Sequence, residues 1–251
     1  MCNLCDFAWP GTAKAHDKAA NSQRRNFLRA GAVAAAAPWS LGSALAAPAA
    51  GDAAPNAIPP AEALKRLMDG NARYAANKPT ENDFSPGRAA RTKVQYPIAA
   101  ILSCADSRLA PEFAFDQGPG DLFVVRTAGN YAAPALLSSL EYAVAVLNVP
   151  LIVVLGHSNC GAVSAAVKSI ESRNMLPGTM QDIISAIQPA VVRAQGGPAD
   201  KLLDRAIFEN VKMQEQALEV RPSLVAKMFR EKKIDIVGGV YDLATGKVTL
   251  V

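Results

Sequence analysis

Residues 151–162 read LIVVLGHSNCGA, a continuous apolar run that ends in a glycine, a histidine and a cysteine. Such a run of Val, Ile and Leu without alternation is typical of a strand buried on both faces of a parallel sheet. The run breaks at Gly156, and residues 162–171 resume with the spacing of a helix. This stretch therefore predicts an α/β fold, with His157 and Cys160 at the carboxyl end of a central strand.

Apolar runs and helical patterns alternate over the rest of the chain in the same way. We predict further strands at residues 98–103, 122–126, 234–241 and 248–251, and further helices at 61–76, 134–147, 202–220 and 223–231. This alternation favours right-handed crossovers and a mostly parallel central β-sheet flanked by helices. In such a sheet, the chemistry lies just beyond the carboxyl ends of the strands.

Composition limits the kind of site that this sheet can carry. The chain has 251 residues, half of them apolar, which is enough for one ordinary domain with extensions. The formal net charge is only +4 and no basic block occurs, which argues against a nucleic-acid binder. Because there are four cysteines and two histidines, metal or thiol chemistry is confined to one small site.

Residues 1–46 have the three-part layout of a cleavable export signal. The pair Arg24 and Arg25 precedes an Ala-rich apolar stretch, which makes the segment look like a twin-arginine signal. We expect cleavage after Ala46 and export to the periplasm; a disordered Ala/Pro tail is the alternative. A proline and a glycine interrupt the apolar stretch, so we expect no membrane anchor after cleavage.

The mature chain would then begin with a Pro/Ala-rich linker at residues 47–60, followed by the folded domain at residues 61–251. Cys2 and Cys5 form a C-x-x-C pair in the part expected to be removed, and a structural zinc or redox role is the alternative for them. Cleavage would leave only three cysteine or histidine residues, and these are Cys104, His157 and Cys160.

Two strand ends deliver these three residues. Cys104 follows the run 98–103, while His157 and Cys160 follow the run 151–155. Two thiolates and one neutral imidazole suit Zn²⁺ and leave one of its four positions open, as in catalytic zinc sites. Asp106 is close enough in sequence to compete for that position, or to accept a hydrogen bond from its occupant.

Each of these residues also has an ordinary interpretation. A buried free cysteine is often only a small hydrophobic side chain, and Asp106 with Arg108 could be a simple ion pair. His157 and Cys160 could form a nucleophilic pair, but that pair explains neither Cys104 nor the Asp106–Arg108 pair. The joint placement at two strand ends favours the zinc site.

The stretches SCADSR at 103–108 and HSNCGA at 157–162 resemble the beta-class carbonic anhydrases in order and spacing. The similarity runs from about residue 61 to the end, and includes GDLFVVRTAGN at 120–130, SLEYAV at 139–144 and GVYD at 239–242. The resemblance implies a catalytic domain with an N-terminal helical arm that begins near residue 61. It also implies one Zn²⁺ per subunit and a homodimer or homotetramer.

Carried over by position, the resemblance implies that Cys104, His157 and Cys160 bind the zinc. Asp106 and Arg108 would form the catalytic dyad of the family. In one state of the family, a water molecule fills the fourth position on the metal. In another state, the residue that matches Asp106 binds the metal and closes the site.

The resemblance also implies a substrate pocket, lined partly across a dimer interface by Gln95, Phe123, Ala128 and Tyr142. Several relatives have Val at the position of Ala128 and Asn at the position of Thr127. These departures leave the width of the pocket open and do not affect the metal ligands.

The activity implied is reversible hydration of carbon dioxide to bicarbonate and a proton through zinc-bound hydroxide. Zinc lowers the pKa of bound water from about 15.7 to ~7. Asp106 would accept a hydrogen bond from the hydroxide, and Arg108 would hold Asp106 ionised and off the metal. Two alternatives keep the same fold: a hydrolase of another small heterocumulene, such as carbonyl sulfide or carbon disulfide, and a non-catalytic zinc- or bicarbonate-binding protein.

Overall fold

The computed structural model describes residues 54–81, 85, 87–172 and 175–251. The expected export signal, its cleavage site, Cys2 and Cys5 lie outside the described residues. No helix in the described part of the chain has both the length and the apolar character needed to cross a membrane.

Helices and strands alternate along the chain as the sequence predicts. The strands are β1 (Ala99–Cys104), β2 (Leu122–Thr127), β3 (Leu151–His157), β4 (Asp235–Tyr241) and β5 (Val248–Leu250). The helices are α1 (Pro60–Ala75), α2 (Arg88–Arg91), α3 (Pro111–Ala114), α4 (Pro134–Ala145), α5 (Gly161–Ser172), α6 (Met180–Arg193), α7 (Leu202–Val220) and α8 (Leu224–Arg230).

The strands form one sheet in the order β2-β1-β3-β4-β5. The first four strands are parallel, and β5 runs antiparallel to β4 at the edge. This confirms the expected mostly parallel sheet. Because β1 and β3 are neighbours, with Ser103 opposite Leu155, their carboxyl ends meet at one place.

Both faces of the central strands are covered, which explains their unbroken apolar sequences. Every residue of β1 and β3 is buried. Since successive side chains of a strand point to opposite faces, Leu102 and Val154 join a core with α4, α7 and α8. Ile101 and Val153 join a second core beneath α1.

The helix α1 is fastened to this second core by close contact and by one buried side chain. A Cβ atom at Gly70 would lie 1.9 Å from the carbonyl oxygen of Phe115, so only glycine permits this approach. Asn71 Nδ2 donates to the carbonyl oxygens of Ala114 and Gly246, both at 2.8 Å. Asn71 Oδ1 accepts from the amide of Val248 at 2.8 Å.

The described part of the segment assigned as a linker, residues 54–60, also contacts the domain. Asn56 is buried, and its Nδ2 donates to the carbonyl oxygens of Leu147 at 2.8 Å and Pro97 at 3.1 Å. The helix α1 begins at Pro60, one residue before the expected start of the domain.

The helix α6 is not among the helices that the sequence pattern predicts. Pro189 lies inside it and interrupts the helical pattern as read from sequence. The helix continues through this proline because Ile184, Ile187 and Val191 are buried in a third core, which also contains Cys104 and Cys160. Burial of this face outweighs the hydrogen bond that proline cannot donate.

Candidate metal centre

The carboxyl ends of β1 and β3 bring the three predicted ligands together. The two sulfur atoms of Cys104 and Cys160 lie 4.0 Å apart. These atoms and an imidazole nitrogen of His157 all lie within 4.8 Å of one another. Cys160 reaches the group because the chain turns sharply at Asn159, which has a φ of 53°, before α5 begins. All three ligand residues are at most 4% exposed.

The hydrogen bonds of His157 leave one nitrogen ready for a metal. Nδ1 lies 2.9 Å from the carbonyl oxygen of Ser158 and donates to it when the ring is neutral. Nε2 is buried and has no hydrogen-bond partner in the part of the chain that the structure describes. Because an unpaired buried nitrogen is costly, this orphaned lone pair beside two thiols fits a Zn²⁺ ligand set.

The two thiols are strongly coupled through their contact. The pKa of Cys104 is lowered to about 4, first by a hydrogen bond from Cys160, which outweighs the opposite effect of burial, and further by the neighbouring imidazole of His157 and the amide of Gly129. The pKa of Cys160 is raised, because the Cys104 thiolate and burial both hold its proton in place. One thiolate is thus formed in advance, and metal binding would displace the proton of the other thiol.

The Asp106–Arg108 pair lies at the margin of this group. Arg108 Nε donates to Asp106 Oδ1 at 2.9 Å, and Nη2 donates to Oδ2 at 2.7 Å. The guanidinium thereby holds the pKa of Asp106 well below its usual range. Arg108 Nη2 also donates to the carbonyl oxygen of Asn159 at 3.2 Å, so the dyad is tied to the loop of the other two ligands. Asp106 Oδ2 lies 3.8 Å from His157 Nε2.

Arg126, at the end of β2, supports the loop that follows β1. Its Nε donates to the carbonyl oxygen of Cys104 at 3.0 Å, and its Nη2 donates to those of Asp106 and Leu109, both at 2.7 Å. The sequence alone predicts no role for this residue. The available signal is an arginine that directly follows the apolar run LFVV near the end of a predicted strand.

A single chain brings only one of the four predicted pocket residues to the centre. Ala128 directly precedes Gly129, whose amide donates to Cys104 Sγ at 3.3 Å. Phe123 is paired with Ala100 near the amino end of β1, four residues and about 13 Å before the end of β2.

The other two predicted pocket residues also lie away from the ligands. Tyr142 packs on Phe123 with ring centroids 6.2 Å apart and is 47% exposed. Gln95 is exposed and precedes β1 by four residues. Three of the predicted pocket residues therefore lie near the amino ends of the parallel strands, at the opposite end of the sheet from the ligand group: Gln95, Phe123 and Tyr142.

Comparisons with known proteins cover this whole region. The family model described as carbonic anhydrase matches residues 99–248, which include the three ligands, Asp106 and Arg108. The chain is 41% identical to a carbonic anhydrase of Mycolicibacterium smegmatis over 197 residues, covering 78% of this chain and 95% of that protein. It is 42% identical to carbonic anhydrase 2 of Mycobacterium tuberculosis over 195 residues, covering 76% and 92%.

Solved structures show the same similarity. The Coccomyxa beta-carbonic anhydrase in complex with acetazolamide matches with a TM-score of 0.59 at 28% identity, covering 75% of this chain and 86% of that chain. The beta-carbonic anhydrase CcaA matches with a TM-score of 0.58 at 27% identity, covering 74% and 94%.

Proposed function

The chain belongs to the beta-class carbonic anhydrases, and from this we infer that it catalyses the zinc-dependent, reversible hydration of carbon dioxide to bicarbonate and a proton. The observation that carries this conclusion is the buried group of Cys104, Cys160 and His157, whose Nε2 has no other partner among the described residues. Two thiolates and a neutral imidazole balance the charge of Zn²⁺ and leave one position open.

When bound, zinc supplies the Lewis acidity that lets water ionise near neutral pH. The chain's own residues determine how the reacting water is held. Asp106 Oδ2 is the carboxylate oxygen nearer to His157 Nε2, and it is placed to accept a hydrogen bond from that water. This bond would orient a lone pair of the water toward the carbon of the substrate.

Arg108 keeps Asp106 in this role. Its guanidinium contacts both carboxylate oxygens, and its backbone amide donates to Oδ1 at 2.9 Å. The pair therefore holds Asp106 ionised, so that it accepts hydrogen bonds only, and restrains it from turning toward the thiols. With His157 in the ligand group, no other histidine of residues 47–251 is available to pass the released proton to solvent.

We propose that a second copy of the chain completes the substrate pocket, in a homodimer or homotetramer. Tyr142 is half exposed beside Phe123, and both lie toward the amino edge of the sheet rather than beside their own ligand group. A twofold arrangement, the commonest for soluble oligomers, would bring these residues and Gln95 to the centre of the other copy.

We propose that residues 1–46 direct export to the periplasm and are then removed. The support is the Arg24–Arg25 pair followed by the Ala-rich stretch. Replacing both arginines by lysine should leave the protein in the cytoplasm, whereas the parent chain should be recovered from the periplasm with Ala47 as its first residue. A periplasmic protein that still carries residues 1–46, or export without the arginines, would contradict the proposal.

Stopped-flow hydration of carbon dioxide by the purified, zinc-loaded chain at pH 7 and pH 8.5 tests the activity. We expect turnover at both values, since Arg108 holds Asp106 in the structure. Turnover only at pH 8.5 would instead indicate the closed form with Asp106 on the metal. Absence of turnover at both values would overturn the inference, and parallel assays with carbonyl sulfide and carbon disulfide would then test the heterocumulene alternative.

A further inference from the structure

We propose that Asn210 is a positioning residue for the metal centre: it holds the carbonyl group of Gly129 and thereby restrains the backbone of that residue, whose amide donates a hydrogen bond to the Cys104 sulfur. The inference rests on the proposed zinc site and adds a residue of α7, about 50 positions from the nearest ligand in sequence, to the residues that tune it.

The path from Asn210 to the sulfur consists of two hydrogen bonds through one residue. Asn210 Nδ2 donates to the carbonyl oxygen of Gly129 at 2.9 Å. The amide of Gly129 donates to Cys104 Sγ at 3.3 Å. The amide and the carbonyl of Gly129 lie in two adjacent peptide planes joined at its Cα atom. Holding the carbonyl limits rotation about φ and ψ of this glycine, and so limits the directions open to the amide.

The segment that carries this amide needs an external hold. Gly129 has a φ of +75° and Asn130 a φ of 45°, so two successive residues lie in the left-handed region. Glycine adopts a positive φ without strain, but it also loses more conformational entropy than other residues when its backbone becomes ordered. A residue with a side chain at position 129 would be strained at this φ, and its Cβ atom would lie 2.4 Å from Ile187 Cδ1, so replacing the glycine by a stiffer residue is unfavourable.

The position of α7 is itself fixed beside a second ligand. Gly156 immediately precedes His157, and a Cβ atom there would lie 2.6 Å from Val211 Cγ2 of α7. The helix thus packs directly on β3 at the residue before His157. The side chain of Asn210 reaches from the same turn of the helix to the segment beside Cys104, so one helix contacts both ligand-bearing regions.

Packing of α7 against the core would favour an apolar side chain at position 210 rather than asparagine. Asn210 is 0% exposed, and its Oδ1 has no hydrogen-bond partner in the described part of the chain. A buried amide with an unpaired oxygen is costly compared with an apolar side chain of similar size. The remaining Nδ2 contact with Gly129 is the interaction that explains the residue.

A hydrogen bond to a thiolate draws electron density away from the sulfur. The metal then receives less charge from Cys104 and remains a stronger Lewis acid, which is the role of second-layer hydrogen bonds at metal sites. Loss of the bond should therefore change the metal's electronic spectrum as well as the rate of catalysis.

The test uses the full chain loaded with Co²⁺ in place of Zn²⁺. Asn210→Leu removes the donor, and Asn210→Ala does so without added bulk. Gln214→Met is the matched control, because Gln214 lies one turn further on α7, is also buried, and its Oε1 accepts from the amide of Ala132 at 3.0 Å in the same segment.

We expect the thiolate-to-cobalt absorption band to move to longer wavelength in both Asn210 variants and to stay in place in Gln214→Met. We also expect metal affinity, measured by competition with a chelator, to fall about 10-fold or more in the Asn210 variants, because the loss of ligand orientation outweighs the stronger donation from the sulfur. Unchanged band and affinity in a folded Asn210 variant would overturn the inference.

Two further outcomes separate this inference from the site itself. If both Asn210 variants failed to fold while Gln214→Met folded, Asn210 would be a residue of the fold, and the positioning role would be wrong. If the unmodified chain failed to bind Co²⁺ or Zn²⁺ at all, the proposed zinc site would be wrong, which is a different failure.

Discussion

One aspartate–arginine pair lies at the carboxyl ends of the parallel strands, and another lies near their amino ends. The two pairs have different roles. At the carboxyl ends, Arg108 forms an ion pair with Asp106, and Asp106 Oδ2 lies 3.8 Å from the unpaired Nε2 of His157. In the segment leading to the amino end of β2, Arg73 Nε contacts Asp116 Oδ2 at 2.6 Å, and Thr80 donates to the same carboxylate.

The difference lies in what surrounds each carboxylate. Asp106 lies beside the buried group of Cys104, His157 and Cys160, which fits a metal ion and lies within one chain. Asp116 has its oxygens bonded to residues of α1 and the segment after it, and so fastens that helix to the domain. An aspartate–arginine pair therefore indicates a catalytic role only when reactive groups, such as metal-ligating side chains, lie beside it. Elsewhere the pair stabilises the packing of the fold.

The largest effect should follow from breaking the ligand group at the carboxyl edge. Cys160→Ser should reduce bound zinc, measured by elemental analysis, to the background level, because a hydroxyl oxygen is a poor replacement for a thiolate. The parent chain is the control, since residues 47–251 contain no cysteine other than Cys104 and Cys160, and it should keep its zinc. Zinc retained by Cys160→Ser would contradict the ligand assignment.

Asp106→Ala should separate metal binding from turnover at the same edge. We expect zinc content to stay unchanged and kcat/KM for carbon dioxide to fall by about 10²–10⁴, the range of a lost acid–base group. Asp116→Ala, which removes the corresponding carboxylate of the other pair, should leave kcat/KM near that of the parent. Loss of zinc in Asp106→Ala would instead make Asp106 a structural ligand.

Tyr142, near the amino ends of the strands, should contribute to the substrate pocket at the metal centre of a second copy of the chain. Cys160→Ser lacks the metal, and Tyr142→Ala lacks part of the pocket but is changed at a half-exposed site that should still fold. A mixture of the two chains, dissociated and reassembled, should regain carbon dioxide hydration above that of either variant alone. Failure to regain activity in a verified hybrid would place the pocket within one chain.

The smallest effect should come from the fastening role of Asp116. Its burial raises its pKa, but hydrogen bonds from Arg73 and Thr80 outweigh this and leave the pKa below its usual value. A lowered native pKa stabilises the fold above the unfolded value of about 3.9, and this is lost as pH falls through the native value.

Asp116→Asn tests this sign by chemical denaturation at several pH values. We expect a loss of about 1–2 kcal/mol in the free energy of unfolding at pH 7, since hydrogen bonds to a charged group are removed. The difference from the parent chain should shrink below pH 4. A difference that stayed constant over this range would show that the charge of Asp116 contributes nothing.

The sequence was sufficient for the ligand group because each ligand follows a local signal. The unalternating runs before Cys104 and His157 mark buried parallel strands, and parallel strands place their carboxyl ends at one edge. The mostly parallel sheet with α1 before it was therefore predictable, and the structure confirms it.

The supporting residues were not predictable in the same way. Arg126 and Asn210 act through backbone carbonyl oxygens that any sequence offers, so no residue type marks their partners. The helix α6 was missed because Pro189 is a local signal against a helix, and only the packing of Ile187 against the third core overrides it. Such contacts become visible when distant segments are brought together.

A zinc titration of the metal-free full chain tests whether the ion held by Cys104, His157 and Cys160 is required for the reaction. Carbon dioxide hydration, followed by stopped flow, should be absent at first, rise in proportion to added Zn²⁺ and level off at one equivalent per chain. The Cys160→Ser chain should stay inactive throughout. Activity that persists in the stripped chain, or no activity after one equivalent is bound, would contradict the assignment of this protein as a zinc carbonic anhydrase.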